Sequence, residues 1–343
     1  MTGYDEFISG KKFLVTGGAG SVGRTLVADL LSGDADTVRL LDNHEPGLSS
    51  LKSVYDDERC RFLLGDVRDK DRIERAMQDI DIVIHTAAMK HVDISEYNPF
   101  EAVKTNVLGL QNVIDTAIDS SATRLVFTSS DKSVQPANTM GTTKLLGEKL
   151  TSAGNKYSGR SDLKLTSVRF GNVLGSSESV VPVFHEQIRN GGPVTLTDER
   201  MTRFFITTAD ISNLVLEAAS SMEGGEVFLH EMSAARIETL AKTMINTLAP
   251  RYGHDPETID IEIIGRRVGE TLHEKIMTER EATRVIKKDS VYAIPPETSE
   301  DGYLSYDGID GYEPPERVIR SSEDAAKLDE PQLRTLLENE EVC

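Results

Sequence analysis

Phe13-Leu-Val-Thr-Gly-Gly-Ala-Gly-Ser-Val-Gly23 is the stretch on which the architecture of this chain turns. A short apolar run leads directly into glycines at 17, 20 and 23, and a helix-forming segment follows. The first glycine permits a tight turn, the second lets a pyrophosphate approach the backbone, and the third packs helix against strand. The helix N-terminus then presents free N–H groups and the positive end of its dipole to phosphates. A glycine turn alone also serves plain geometry. Here, however, Asp42 ends the next apolar run 19 residues after Gly23, where a ribose-binding carboxylate is expected. That context predicts a dinucleotide site. A carboxylate there accepts bonds from a ribose 2′-hydroxyl but repels a 2′-phosphate, and neighbouring Asn43 and His44 supply no arginine. NAD is therefore expected over NADP, the alternative for Asp42 being a solvated strand end. Asp66, at the end of the third run, is placed either to hold the adenine amine or to cap its own turn.

Outward from the turn, apolar runs alternate with amphipathic segments of helical length. Strands are expected at Phe13–Thr16, Val38–Asp42, Arg61–Asp66, Asp81–His85, Arg124–Ser129 and Leu165–Phe170. Several are nearly continuous in apolar residues, as parallel strands covered on both faces are. Val103–Ile118 carries apolar residues at helical spacing. This alternation predicts an α/β fold: a doubly wound parallel sheet, the Rossmann fold, with a smaller C-terminal substrate-binding lobe. Past about Val173 come shorter strands at Val194–Thr197, Val227–His230 and Ile261–Ile264. Helices are expected there near Val181–Arg189, Ala209–Ser220 and Ile237–Leu248. The expected division is a cofactor-binding core at 1–173, a substrate lobe interleaved with it at 174–290, and a mostly irregular tail at 291–343. One helix is expected in that tail near Pro331–Leu337, proline suiting a first helical turn.

With 343 residues, 38% hydrophobic and 28% charged, the chain has the composition of a globular protein large enough for two lobes sharing a cleft. Its 38 Lys and Arg against 57 Asp and Glu leave a net charge of −19. Basic residues do not cluster, so no nucleic-acid partner is expected. Two cysteines, Cys60 and Cys343, cannot build a disulfide framework, which points to a reducing compartment. The N-terminus is acidic where a secretion signal is basic, and no apolar run approaches the roughly 18 residues that span a bilayer. The expectation is a cytoplasmic protein without a membrane partner.

Ligands of doubly wound sheets bind beyond the carboxyl ends of the strands. The fourth run ends in His85-Thr-Ala-Ala-Met-Lys-His91, whose small residues let a cofactor lie against the backbone. The fifth ends in Thr128-Ser-Ser-Asp-Lys132, with a helix expected from Met140-Gly-Thr-Thr-Lys144. The glycine turn, Asn106, the Ser130 region and Lys144 resemble the extended short-chain dehydrogenase/reductases. Within these, Glu96-Tyr-Asn-Pro-Phe-Glu-Ala-Val-Lys-Thr-Asn-Val-Leu-Gly109 resembles the UDP-N-acetylglucosamine 4,6-dehydratases of polysaccharide and glycan synthesis. So do Ser130-Asp-Lys132, Arg169-Phe-Gly-Asn-Val173, Ser179-Val-Val-Pro182 and Met201-Thr-Arg-Phe-Phe205. The chain departs from the pattern in three places. Met140 stands where the superfamily has a tyrosine, as in one branch of the dehydratases. Glu178 replaces the usual glycine before the Ser-Val-Val-Pro run, and Arg267-Val-Gly-Glu-Thr271 replaces Arg-Pro-Gly-Glu-Lys, with Val268 at the proline position.

The resemblance implies a UDP-sugar substrate, a bound NAD and a homo-oligomer. Cofactor contacts are expected from Gly17, Gly20, Ser21, Val22, Gly23, Asp42, Asn43, Asp66, Val67, Ala87, Ala88, Lys90, Asn106, Ser129, Lys144 and Phe170. Substrate contacts are expected from Lys90, Asn172 and Arg203 (the diphosphate), Val180 and Val181 (uracil), Arg267 and Glu270. Catalysis is expected from Ser130, Asp131, Lys132 and Lys144, with Met140 at the tyrosine position. In the implied reaction, oxidation at carbon 4 acidifies the carbon 5 proton, water leaves from carbons 5 and 6, and hydride returns to carbon 6. A base and an acid are needed side by side, which Asp131 and Lys132 offer; a desolvated lysine has a lowered pKa and can act as base. Because Met140 has no proton to exchange, Ser130 or Asp131 must serve the carbon 4 hydroxyl. Competing readings are a nucleotide-sugar 4-epimerase, which normally depends on the missing tyrosine, and a silent NAD-binding sensor. His85, His91 and His273 lack metal-ligand spacing, and His185 and His273 have no second histidine four residues on, so no metal is expected.

Overall fold

Lys12–Thr16 (β1) pairs in parallel with Thr37–Asp42 (β2) on one side and with Ile82–His85 (β4) on the other. Cys60–Leu64 (β3) extends the sheet beyond β2, while Arg124–Thr128 (β5) and Lys164–Arg169 (β6) extend it beyond β4, all in parallel. Strand order thus reverses between β1 and β4, which opens a crevice at their carboxyl ends. The computed structural model describes residues 3–159, 162–175, 180–267, 269–297 and 306–340. Glu178, Ser179, Val268 and Cys343 lie outside the described residues.

Three later strands complete the sheet. Val227–His230 (β10) lies parallel to β6, and Val291–Ile294 (β14) and Ile286–Lys288 (β13) follow antiparallel. The order is β13-β14-β10-β6-β5-β4-β1-β2-β3. Here the tail expectation is corrected: Val291–Ile294 is a strand with all four residues buried, not irregular chain. Its Val-Tyr-Ala-Ile sequence is too short to announce itself, and pairing on both sides decides it. Smaller sheets are built from Asn172–Val173 (β7), Thr202–Ile206 (β9) and Ala234–Arg236 (β11), and from Val194–Leu196 (β8) with Ile261–Ile263 (β12).

Helices cover both faces of the large sheet. Ser21–Ser32 (α1) buries Gly23, Leu26, Val27 and Leu30 at helical spacing. Phe13 and Val15 join these in one apolar cluster, while Leu14 joins a second cluster on the opposite face. That alternation is the pleat of β1, and it explains why the strand had to be apolar throughout. Further helices are Glu45–Val54 (α2), Lys70–Met77 (α3), Leu110–Asp119 (α4), Thr139–Tyr157 (α5), Val180–Arg189 (α6), Thr208–Ser221 (α7), Ile237–Leu248 (α8) and Glu330–Asn339 (α9). The helical segment expected at 103–118 starts at the end of a short helix, Pro99–Val103, and passes through a π-helical turn at Lys104–Gly109 into α4. A third apolar cluster joins Val181, Phe184 and Ile188 of α6 to Leu240 and Met244 of α8 and Leu333 of α9. It supports the wall facing the ends of the strands.

Candidate active site

A cavity of about 1140 Å³ runs along the carboxyl ends of β1, β2, β4 and β5 and across to β9 and the segment 264–275. At its floor the glycine turn is a cradle without room for side chains. Gly17 sits at φ +71°, and a Cβ there would lie 2.6 Å from the Ala87 nitrogen. A Cβ on Gly23 would lie 2.6 Å from the Gly17 oxygen, so the third glycine permits the closure of helix onto turn. Gly20 precedes α1 with no side-chain cap, leaving the helix N-terminus for a ligand. Asp42 is fixed at the end of β2, its Oδ2 accepting from the Ala19 N–H at 2.9 Å and its Oδ1 from the His44 N–H at 2.9 Å.

Gly17, Gly20, Ser21, Val22, Asp42, Asn43, Asp66, Val67, Ala87, Ala88, Lys90, Ser129, Lys144 and Phe170 all line this cavity. Asn106 does not. Its side chain is buried between elements, with Oδ1 accepting from the Met89 N–H at 2.8 Å and Nδ2 donating to the Met89 oxygen at 2.9 Å and to Thr143 Oγ1 at 2.9 Å. It therefore shapes the loop behind Ala87 and Ala88 rather than forming the wall. Asp66 pairs with Arg68 at 2.6 Å, and the Arg68 guanidinium holds its carboxyl below the usual range against the effect of burial.

Ser130, Asp131, Lys132, Met140 and Lys144 meet at the middle of the cavity. Asp131–Ser133 forms a single 3-10 turn in which Ser130 Oγ accepts from the Lys132 N–H at 3.2 Å. The turn is held from below by α5, where Asn138 caps the helix through the Gly141 N–H at 2.8 Å. Lys144 is buried, donates to the Thr128 oxygen at 2.9 Å and stands 4.9 Å from the Phe127 ring centre. Burial pushes its pKa down to about 8, with Glu148 opposing.

Lys132 overturns an expectation. Its Nζ donates to Asp131 Oδ1 at 3.1 Å and to Glu274 Oε1 at 3.0 Å. Burial opposes its charge, yet the two carboxylates outweigh burial and hold the pKa well above the ordinary lysine range. Asp131 moves the opposite way to Lys132: burial raises it, but Lys132 and its hydrogen bonds bring it below the usual value. The group displaced upward is Glu274, pushed by burial and by the charge of Asp131 to about 7. Sequence reading passed over Glu274 because 142 residues separate it from Lys132 and its only visible neighbour was a histidine without a metal pattern.

The expected substrate residues divide. Asn172 Nδ2 donates to Glu274 Oε2 at 2.9 Å, and Arg203 Nε stands 3.3 Å from Glu274 Oε1. Both line the cavity, as do Val180, Arg267 and Glu270. Val181 is corrected: it is buried in the apolar cluster of α6 and α8, because successive helical residues diverge by about 100° and Val180 takes the cavity side. Behind the turn, Glu148 and Arg169 form a second feature that spacing had not revealed. Glu148 Oε1 accepts from Ser129 Oγ at 2.6 Å and Ser133 Oγ at 2.8 Å, and Oε2 accepts from Arg169 at 2.7 Å.

A family model described as "polysaccharide biosynthesis protein" matches residues 13–296. The chain belongs to this family. Among its relatives is an uncharacterized membrane protein of Methanocaldococcus jannaschii, 43% identical over 97% of this chain and 96% of the relative. A UDP-N-acetylglucosamine 4,6-dehydratase (inverting) of Campylobacter jejuni is 39% identical over 84% of each. The solved structure of Pen from Bacillus thuringiensis superposes with a TM-score of 0.87 at 36% identity, over 97% of this chain and 98% of that one. A UDP-glucose 4-epimerase of Thermus thermophilus, solved with NAD, superposes with a TM-score of 0.64 at 26% identity, over 76% and 88%. The fold is that of the extended short-chain dehydrogenase/reductases, and the family kinship makes the chain an enzyme. No helix among the described residues is long and apolar enough to cross a membrane.

Proposed function

We propose that the chain removes water from a UDP-N-acetylhexosamine, UDP-N-acetylglucosamine, to give a 4-keto-6-deoxy sugar nucleotide, with NAD held throughout. The observation that carries this reading is the Asp131-Lys132 ion pair, its aspartate buried and its lysine half-buried, lining one cavity together with Met140. A 4-epimerase needs a proton acceptor at position 140 and has no use for an acid–base group at carbons 5 and 6. Gly17, Gly20, Ser21 and Val22 would hold the pyrophosphate, Asp42 a ribose, and Lys144 the nicotinamide ribose. Bound NAD supplies the hydride acceptor for carbon 4 and the donor for carbon 6. Asn172 and Arg203 face the place for the diphosphate, and Val180 that for uracil. Asp131 is placed to take the proton of the carbon 4 hydroxyl, since Met140 has none to exchange. Lys132, charged in the cleft, stabilises the negative charge that develops at the carbon 4 oxygen once carbon 5 loses its proton.

The deciding experiment incubates the purified protein with UDP-N-acetylglucosamine and NAD and follows product mass. Loss of one water is the expected result. An unchanged mass with a new sugar would make the chain an epimerase, and no product would leave a silent binder. Replacing NAD by NADP should weaken binding, because Asp42 would face a phosphate; equal binding would remove the cofactor assignment.

A further inference from the structure

Three parts of the chain that lie far apart in sequence meet behind Arg203 and Glu274, and Ser322 stands at their junction, fully buried. Its Oγ accepts from the Glu274 N–H at 2.9 Å, and its own N–H donates to the Glu274 oxygen at 2.8 Å. Residues 320–322 thus run antiparallel to 274–276. The Ile276 N–H donates to the Arg320 oxygen at 2.9 Å, and Lys275 and Ser321 form a bridge between them. On its other side Ser322 Oγ lies 2.8 Å from Thr202 Oγ1 and donates to the Thr202 oxygen at 3.2 Å. One hydroxyl from the tail therefore joins the first residue of β9 to the segment that carries Glu274.

Arg203 is set by that junction. Its Nη1 donates to the Thr202 oxygen at 2.8 Å and to the Leu272 oxygen at 3.2 Å, and its Nη2 donates to the Thr271 oxygen at 2.9 Å. Its Nε stands 3.3 Å from Glu274 Oε1. These acceptors come from both sides of the junction, so they hold the guanidinium in one place only while the two sides stay in register. An arginine has many rotamers, and a fork ordered before its ligand arrives spares binding the cost of ordering it. The tail itself is anchored elsewhere as well. Ile309 and Tyr312 are buried in the main apolar cluster, Glu313 exchanges main-chain bonds with Lys287, and the Leu328 N–H donates to the Ala234 oxygen at 2.8 Å. Losing the Ser322 hydroxyl would leave those anchors in place.

We propose that Ser322 is a positioning residue for the substrate: by tying Thr202 to Glu274 it keeps Arg203 ordered for the diphosphate. Its ligand is that of the dehydratase reading, on which the proposal rests. The C-terminal segment becomes part of the active site, although its sequence reads as an irregular tail. Spacing could not reveal the link, since 120 residues separate Ser322 from Thr202 and 48 separate it from Glu274. The cofactor cradle belongs to β1 and β2, so the effect falls on the sugar nucleotide and not on NAD.

Calorimetric titration of the NAD-loaded protein with UDP alone tests this. Ser322→Ala should weaken UDP binding by about tenfold, the scale set by one buried hydrogen bond, while its NAD affinity stays that of wild type. With UDP-N-acetylglucosamine, KM should rise by the same factor and kcat should fall by less. Ile309→Ala loosens the same segment at another anchor, so it should lower the melting temperature and leave UDP binding at the wild-type value. Should Ser322→Ala fail to fold, Thr202→Val removes the same link from β9 and should show the same loss. Wild-type UDP affinity in the folded variant would overturn the proposal. An equal loss in Ile309→Ala would overturn it too, because general loosening of the tail would then suffice. A wild-type protein that binds UDP yet releases no water from UDP-N-acetylglucosamine ends the dehydratase reading alone, and the UDP titration of Ser322→Ala still decides the role of Ser322. A wild type that does not bind UDP ends both.

Discussion

Lys144 shows what a buried charge costs in this cleft. Desolvation lowers its pKa from the ordinary 10.5 to about 8, so the folded protein gives up this proton more readily than the unfolded chain does. Between those two values the unfolded state binds more protons, and stability must rise with pH. Below about pH 8 both states are protonated and the penalty is complete; above 10.5 both are neutral and it has gone. Converted at 1.36 kcal/mol per pH unit, the change amounts to about 3 kcal/mol. Urea unfolding of cofactor-free protein at several pH values tests this. The stability of wild type relative to Lys144→Met should climb across that window, and a flat difference would mean that the ammonium is not desolvated.

Among elements, the 3-10 turn at Asp131–Ser133 depends on supports from three directions. A Cβ on Gly141 would collide with the Lys132 oxygen, so α5 can approach the turn only with glycine at that position. Glu148, one helical turn beyond Lys144, grips Ser129 and Ser133 on either side of Asp131 and Lys132. Arg169 ties Glu148 to Glu281 and to the Ile276 oxygen, so β6 links the turn to the segment that carries Glu274. Burial opposes the Arg169 charge, but the two carboxylates more than compensate and hold it fully ionised. Removing one partner of such a buried pair leaves the other uncompensated, at a cost of about 3–5 kcal/mol. Glu148→Gln should therefore lose stability on that scale in denaturant titration, less whatever Glu281 makes up, and lose the proposed turnover with it. A variant of unchanged stability and full turnover would show that the turn holds itself.

At the scale of the whole molecule, one face is conspicuously apolar. Tyr97 and Phe100 are 88% and 80% exposed, and Ile94, Val103, Leu108 and Leu146 are exposed near them on helices that pack against one another. Large apolar side chains exposed on helices that pack together, on a chain of net charge −19, are best covered by a second copy of the same surface, and we propose a homodimer through it. Sedimentation should give twice the mass of one chain, and Phe100→Asp with Leu146→Asp should halve it; a monomeric wild type would refute the proposal. Scale also separates what was legible from what was not. Apolar periodicity and glycine spacing determined β1 to β6, the doubly wound sheet, the glycine turn and the place of Asp42 at the end of β2, because those signals are local: a buried parallel strand must be apolar throughout, and a tight turn must lack Cβ atoms. Residues 130–132 and 144 were named through the family resemblance, at positions that the expected strand ends bring to one side of the sheet. Packing alone decided the rest. β14 became a strand only by pairing with β10, and Val181 turned inward only because α8 gave it a core. The proton affinities of Asp131, Lys132 and Glu274 were set by a contact spanning 142 residues, since a charge answers to its neighbours in space, and no spacing along the chain records them.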